Sequence, residues 1–244
     1  MHQSKRRKRL KRLRIGGRVM SNIKAVIFDI GKVLADFDMD RAWTAFAKFT
    51  EIPASEMEGI VYETSDKEVL KYGTSKKDDI VKRYNTCNVD DARFREWMRE
   101  RLQLRNITDE EFDQAWGDIF TTNGPVCGLV KKLSNNGYTL VALSDTNPIQ
   151  MRYIMQTIPD TMRLFNGRVL TSFDIGVMKP DERTYNEAVK TAGVQSGEWV
   201  YVDDRKKYVS PVSKLGGHGI WYDWDNPRRD EILLKDLKDL GVRF

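Results

Sequence analysis

The chain has 244 residues, of which 40% are hydrophobic and 32% charged, and its formal net charge is +5 at pH 7. This length allows one large hydrophobic core, or a core with a second, smaller lobe. No apolar stretch approaches the length of a membrane span, so we expect no membrane helix. The two cysteines, Cys87 and Cys127, show no metal-ligand spacing, which favours free thiols in a reducing, cytoplasmic compartment.

Basic residues are concentrated at the amino terminus. Residues 1–18 contain nine Lys or Arg and no acid, whereas the other 32 basic residues face 36 acidic ones. No apolar segment follows that would make this region a signal peptide. We expect residues 1–19 to be a disordered extension, or to precede a functional start at Met20. Such a tail could bind polyanions weakly, without recognising a specific nucleic acid.

The first predicted strand ends in an acid. The apolar run Ala25–Phe28 leads into Asp29, and a turn with Gly31 follows. In open parallel sheets the ligand crevice lies just beyond the carboxyl ends of the strands. Asp29 is therefore placed for chemistry.

The stretch from 38 to 122 is predicted to be helical. Apolar residues recur at helical spacing around Trp43, around Tyr84 and around Phe94. We expect most of the aromatic side chains there to pack in a core rather than to line a ligand pocket. Pro125 suits the first position of a helix and marks the return to the sheet.

Beyond this point strands and helices alternate. The pattern predicts helices over 125–136, 148–157, 181–192, 205–215 and 229–240, and strands over 138–143, 168–171, 199–202 and 219–222. Such alternation indicates an α/β fold with a doubly wound parallel sheet, covered on both faces by helices.

Three later segments place polar groups near strand ends or in turns. Ser144 ends a β-rich run, and its hydroxyl and the N–H groups of the following turn could hold phosphate oxygens. Lys179 precedes Pro180, which favours an extended backbone. The pair Asp203 and Asp204 follows another strand and offers ligands for a hard cation such as Mg²⁺.

Each of these motifs also has a purely structural interpretation. Asp29 could merely end a strand, Ser144 could cap a helix, and Lys179 could be a solvated loop charge. Their occurrence together, in this order, indicates phosphoryl transfer to a carboxylate instead.

Taken in order, these motifs resemble the four motifs of the haloacid dehalogenase (HAD) superfamily of phosphohydrolases. The resemblance extends from about Ile23 to Asp223. The motif sequences are similar to those of the small bacterial α-D-glucose-1-phosphate phosphatase-like subgroup. It implies a Rossmann-like core, residues 20–37 and 123–244. It also implies a helical type 1 cap, residues 38–122, inserted after the first strand, which closes over the site and selects the leaving group.

The resemblance implies a role for each matching residue. Asp29 would be the nucleophile that forms an aspartyl-phosphate. Ser144 and the N–H of Asp145 would bind phosphoryl oxygens, and Lys179 would neutralise charge on Asp29 and on the phosphoryl group. Mg²⁺ would be held by Asp29, the carbonyl oxygen of Gly31, and the pair Asp203 and Asp204. The expected partner is a small phosphorylated metabolite, in particular a sugar phosphate.

Three positions depart from the common pattern. Gly31 stands where most HAD phosphatases have a second Asp, which protonates the leaving group. Asp36 and Asp38 follow soon after and are candidates to replace it. Asp145 stands where the subgroup often has Asn, and Tyr208 where many relatives have Asn or Asp.

These departures leave two other functions open. A catalytically weak HAD-fold binding or regulatory protein would tolerate all three substitutions. A metal-independent 2-haloacid dehalogenase would share the fold and the nucleophile, but the carboxylate pair Asp203 and Asp204 argues against it.

Overall fold

The computed structural model describes residues 22–62 and 80–244, together with the backbone of residues 14–15 and 18–19. In these segments the strands are β1 (Arg14–Ile15), β2 (Arg18–Val19), β3 (Ala25–Phe28), β4 (Ala35–Phe37), β5 (Phe120–Thr122), β6 (Thr139–Ser144), β7 (Val169–Thr171), β8 (Trp199–Asp203) and β9 (His218–Trp221). The α-helices are α1 (Met39–Phe46), α2 (Ala54–Tyr62), α3 (Ile80–Asn85), α4 (Asp91–Arg101), α5 (Asp109–Gly117), α6 (Gly124–Asn135), α7 (Pro148–Thr157), α8 (Pro159–Leu164), α9 (Ser172–Ile175), α10 (Glu182–Ala192), α11 (Lys206–Val209) and α12 (Arg229–Asp239).

The central sheet has five strands in the order β7-β6-β3-β8-β9, and every neighbouring pair is parallel. Strand β3 lies in the middle, where Phe28 pairs with Ala142 on β6 and with Val202 on β8. Because these registers are level, the residues that follow the three strands emerge at the same edge of the sheet. The predicted doubly wound α/β fold is confirmed.

Helices cover both faces of this sheet. Val26 and Phe28 point into a core shared with α6, α12 and the helices inserted after β4. Ala25 and Ile27 point into a second core, which α10 covers. All four side chains are fully buried, and burial on both faces explains why the strand is continuously apolar in sequence.

The described residues of the insertion between β4 and β5 form helices joined by short loops and turns. It contains α1 to α5 and a short 3₁₀ helix, Ala47–Phe49, while residues 63–79 of the predicted cap lie outside the described residues. The aromatic side chains pack against one another as expected: the rings of Tyr84 and Phe94 stack 4.2 Å apart, and those of Trp43 and Trp116 lie 6.1 Å apart. The limits of the cap stay a prediction.

Two sequence predictions of secondary structure are wrong. Residues 120–122 form strand β5, because their backbone pairs antiparallel with β4, in which Phe37 lies opposite Phe120. The helix predicted over 205–215 ends at Val209, and turns follow. Pro211 explains the early end, since it has no N–H to continue the helix.

The prediction that residues 1–19 are a disordered extension falls mostly outside the described residues. Within this range, the two residues of β1 pair antiparallel with the two residues of β2. In the part of the chain that is described, none of the helices has the length and apolar character needed to span a membrane.

Candidate active site

The carboxyl edge of the sheet brings the predicted site residues together. Asp29 follows β3 directly, Ser144 ends the neighbouring β6, and Asp203 ends β8 on the other side. Asp29 and Ser144 are 7% and 4% exposed, and Asp203 is fully buried. Burial of polar groups on three adjacent strand ends is costly unless they are paired, so their partners define the site.

Lys179 is the central partner. Its Nζ lies 2.9 Å from Asp29 Oδ1 and 2.9 Å from Asp203 Oδ2, and its side chain is 1% exposed. Nζ also donates to the hydroxyl of Tyr201 at 3.0 Å, and this hydroxyl donates in turn to Asp203 Oδ2. Lys179 reaches the strand ends from the loop between α9 and α10, where its bond to Pro180 is cis. One buried ammonium therefore bridges two strand ends.

Asp145 holds the backbone of this lysine. Its Oδ1 accepts the N–H of Lys179 at 3.1 Å, whereas its buried Oδ2 has no hydrogen-bond partner among the described residues. Burial raises the pKa of the Asp145 carboxyl, and Lys179 opposes that shift. The side chain at this position thus positions Lys179, while the backbone N–H stays next to Ser144.

The electrostatics of the cluster are dominated by burial. Burial raises the pKa of Asp29 well above its usual range, Lys179 opposes this shift, and Asp203 and Asp204 reinforce it. Burial alone would lower the pKa of Lys179, but Asp203, Asp29 and Asp145 outweigh it and hold that pKa well above its usual value. The surrounding carboxylates therefore favour the charged form of the lysine.

Three carboxylates converge next to Lys179. Asp29, Asp203 and Asp204 each offer an oxygen, and these oxygens lie within 4.8 Å of one another. Burial, and then the charge of Asp203, raise the pKa of Asp204 to about 6. Crowded acids of this kind, with oxygen ligands alone, match the preference of a hard divalent cation.

Hydrogen bonds hold both carboxylate oxygens of Asp203 in place. One of its oxygens accepts from Lys179 and Tyr201, and the other accepts the N–H of Arg205 at 2.8 Å. Positioning Lys179 is therefore a role that Asp203 performs in addition to any contact with a metal ion.

Gly31 lies at the floor of the same site, and the backbone there is not left-handed. A Cβ placed on it would lie 3.2 Å from Cε1 of Phe37, so a side chain at position 31 would need a small shift of this aromatic ring. The two acids considered as replacements point elsewhere: Asp36 Oδ2 lies 3.9 Å from Arg229, and Asp38 caps α1. Neither lines the cavity described below.

Tyr208 lies against Lys179 rather than away from it. Its ring centroid is 5.1 Å from the lysine Nζ, and its hydroxyl accepts from Arg205 Nη1 at 3.4 Å. Burial raises the pKa of Tyr208 to about 12, so the phenol stays neutral. An aromatic face thus lies where the resemblance predicts a polar side chain.

A cavity of about 880 Å³ opens over these residues. Its floor is the sheet edge with Asp29, Ser144, Lys179 and Asp204. Its opposite wall comes from the inserted helices and from α7, with hydrogen-bonding side chains and aromatic rings: Glu58, Tyr62, Lys82, Asn85, Thr86, Asn88, Trp116 and Gln150. This size is typical of small-molecule sites, which span roughly 300–1,000 Å³.

Sequence reasoning missed Tyr201 and the whole of the cavity wall. Tyr201 is two residues before Asp203 on β8, so the two side chains share a face, and this parity was the available signal. No comparable signal marked Glu58 or Gln150, because the orientation of the inserted helices over the sheet is a tertiary feature.

Comparison with known proteins gives a consistent picture. The family model for haloacid dehalogenase-like hydrolases matches residues 23–207, which confirms the predicted resemblance. A D-ribitol-5-phosphate phosphatase of Bacteroides thetaiotaomicron is 25% identical over 203 residues, 80% of this chain and 89% of that protein. A phosphatase of Mycobacterium tuberculosis is 23% identical over 233 residues, 91% of this chain and 96% of that protein.

Solved structures show the same fold. A HAD family enzyme of Bacteroides thetaiotaomicron, in complex with magnesium and inorganic phosphate, has a TM-score of 0.65 at 21% identity. The match covers 82% of this chain and 93% of that one.

Proposed function

This chain belongs to the haloacid dehalogenase-like hydrolase family, and we propose that it is a Mg²⁺-dependent phosphomonoesterase that forms an aspartyl-phosphate on Asp29. The observation that carries the proposal is the ammonium of Lys179, which lies 2.9 Å from Asp29 beside two further carboxylates at the floor of a ligand-sized cavity. Phosphoryl transfer needs mainly positioning and cationic stabilisation of the equatorial oxygens.

The residues divide the work of this reaction. An oxygen of Asp29 attacks phosphorus, which splits one difficult displacement into two easier ones. The hydroxyl of Ser144 and the N–H of Asp145 bind phosphoryl oxygens. Lys179 keeps its proton throughout, because its pKa is held high, and it balances the charge on Asp29 and on the phosphoryl group.

The carboxylates fit a magnesium ion. Asp29 and Asp204 would hold it, with the carbonyl oxygen of Gly31 and with Asp203 as a further neighbour. When bound, the ion neutralises phosphoryl oxygens and favours the ionised form of the nucleophile. The family neighbour that contains magnesium and phosphate supports the assignment.

The substrate we propose is a small phosphorylated sugar or polyol. The cavity has room for such a molecule, and the side chains of Asn85, Thr86, Asn88 and Gln150 offer donors and acceptors for hydroxyl groups. A relative named as a D-ribitol-5-phosphate phosphatase supports the same class. A cytoplasmic location stays a prediction from the sequence.

One other function has a specific observation in its favour. Gly31 leaves the leaving group without a proton donor at the usual position, which is what a catalytically weak binding or regulatory protein would show. A metal-independent dehalogenase is disfavoured by the convergence of Asp29, Asp203 and Asp204.

The test is hydrolysis of a panel of phosphate esters with Mg²⁺, together with Asp29→Asn. The native protein should release phosphate from p-nitrophenyl phosphate and D-ribitol 5-phosphate, and EDTA should abolish this. Asp29→Asn should be inactive while its circular dichroism stays native, because an amide is a very poor nucleophile. The exposed acid Asp160 provides the matched control Asp160→Asn, which should keep full activity. Native-like turnover by Asp29→Asn would exclude the proposed nucleophile.

A further inference from the structure

The missing proton donor is the starting point. An alkoxide is a poor leaving group, and general acid catalysis is worth about two to four powers of ten. Position 31 offers no acid, and the ring of Phe37 lies beside it. The nearby Asp36 and Asp38 do not line the cavity. A donor must therefore come from elsewhere on the cavity wall.

Five acids of the described chain line the cavity, namely Asp29, Glu58, Asp145, Asp181 and Asp204. Asp29 and Asp204 have other roles in the proposed function. Asp181 accepts from Arg183 with both oxygens, at 2.9 and 2.7 Å, which lowers its pKa to about 2 and leaves it without a proton. Asp145 lies next to the phosphate-binding Ser144 and is engaged with the backbone of Lys179.

Glu58 is placed differently from the other four. It lies on α2, in the inserted helices, and is the one cavity-lining carboxylic acid among their described residues. In phosphoryl transfer the attacking and leaving oxygens are roughly in line through phosphorus. A leaving oxygen therefore points away from Asp29, across the cavity and towards the inserted helices.

The surroundings of Glu58 suit a proton donor. The side chain is half-buried at the cavity wall. Burial, and then the neighbouring charge of Asp40 on α1, raise the pKa of its carboxyl. A raised pKa keeps a proton available closer to neutral pH.

The geometry points to Glu58 as the group that protonates the leaving oxygen, an inference that rests on the proposed phosphatase function. As Asp29 attacks phosphorus, the ester phosphorus–oxygen bond breaks, its electron pair stays on the leaving oxygen, and the carboxyl proton of Glu58 passes to that oxygen. In the second step the oxygen of a water molecule attacks phosphorus and its proton passes to solvent, which releases Asp29 and inorganic phosphate. Solvent returns a proton to the Glu58 carboxylate before the next turnover.

The dependence of rate on the leaving group tests this role. We would compare native protein and Glu58→Gln on 2,4-dinitrophenyl, p-nitrophenyl and phenyl phosphate and on D-ribitol 5-phosphate, all with Mg²⁺. Glu58→Gln should lose about 10²–10⁴-fold on phenyl and ribitol phosphate, which need the proton, and under tenfold on the dinitrophenyl ester. Glu56→Gln, an exposed acid on the same helix that does not line the cavity, is the matched control and should behave as native.

Each other outcome has a definite meaning. An equal loss on all esters, or no loss, would overturn the role of Glu58. A leaving-group effect in Asp145→Asn but not in Glu58→Gln would overturn it in favour of Asp145. Absence of Mg²⁺-dependent hydrolysis in the native protein would instead refute the proposed function itself.

Discussion

The charge of Asp204 is expected to destabilise the metal-free protein. Its pKa is raised from 3.8 to about 6, by burial and then by Asp203, so the fold disfavours the ionised carboxylate. A group with a raised carboxyl pKa contributes stability that is fully present below about pH 4 and is lost as the pH rises through about 6. Asp204→Asn removes this loss, because an amide does not ionise.

The magnitude follows from the shift. Two pKa units correspond to about 3 kcal/mol at pH 7, since one unit is worth about 1.36 kcal/mol. For a chain of this size that is an increase in the melting temperature of about 6–12 °C. The two proteins should be equally stable near pH 4.

Mg²⁺ should largely remove this difference in stability between the two proteins. An ion that binds only the folded state at 100 times its Kd adds about 2.7 kcal/mol of stability. The native protein should gain this increment, while Asp204→Asn should gain little and be inactive.

Thermal unfolding followed by circular dichroism measures both effects, at pH 4 and pH 7, with EDTA or with excess Mg²⁺. Asp160→Asn, whose carboxylate is 92% exposed, should change stability by under about 0.5 kcal/mol in every buffer. Equal stability of Asp204→Asn and native protein in EDTA at pH 7 would refute the claim that the ionised carboxylate of Asp204 destabilises the metal-free fold. Equal stabilisation of both by Mg²⁺ would refute Asp204 as a ligand.

Two other substitutions test the floor of the site. Lys179→Met should lower the free energy of unfolding in urea by about 3–5 kcal/mol at pH 7, because it leaves buried carboxylates unpaired. The loss should be smaller at pH 5, because the raised pKa of Asp29 favours its protonation. Lys190→Met, at an exposed lysine, is the control, and equal stability of the two variants would contradict the pairing of Lys179 with Asp29. Gly31→Asp should fold, because only the Phe37 ring must shift. Introduced into Glu58→Gln, it should restore turnover of phenyl phosphate more than that of the dinitrophenyl ester, and no restoration would mean that position 31 does not face the leaving group.

The sheet and its edge could be predicted because local signals marked them. Continuous apolar runs identified β3 and β8 as buried strands, and Asp29 and Asp203 mark the points where the runs end. In a parallel sheet, strand ends on neighbouring strands must meet, so the cluster followed without knowledge of any contact.

The partners of Lys179 and the opposite wall could not be predicted in the same way. In the sequence, Tyr201 looks like one of the apolar core residues of its strand. Its contact with Lys179 depends on where a distant loop crosses the sheet. Strand β5 was read as helix because its pairing with β4 lies more than 80 residues away in sequence. Long-range pairing overrides local propensity in such segments.

Two of the three departures from the family pattern have a common structural basis. Both residues contact Lys179: Asp145 Oδ1 accepts the backbone N–H of Lys179, and the ring centroid of Tyr208 lies 5.1 Å from Lys179 Nζ. An Asn at 145 could accept the same hydrogen bond, so Asp keeps the contact and adds a negative charge.

This added charge bears on the choice between functions. With Asp145, the floor holds four carboxylates, the others being Asp29, Asp203 and Asp204, and the cations Lys179 and Arg205 offset their charge only in part. Buried charges that lack compensation are costly, and the raised pKa values of Asp29, Asp145 and Asp204 reflect that cost. A divalent cation would relieve it, whereas a metal-independent dehalogenase would gain nothing from a further carboxylate. The departure at position 145, which weakens the match to the family motifs, therefore strengthens the argument for a metal-dependent site.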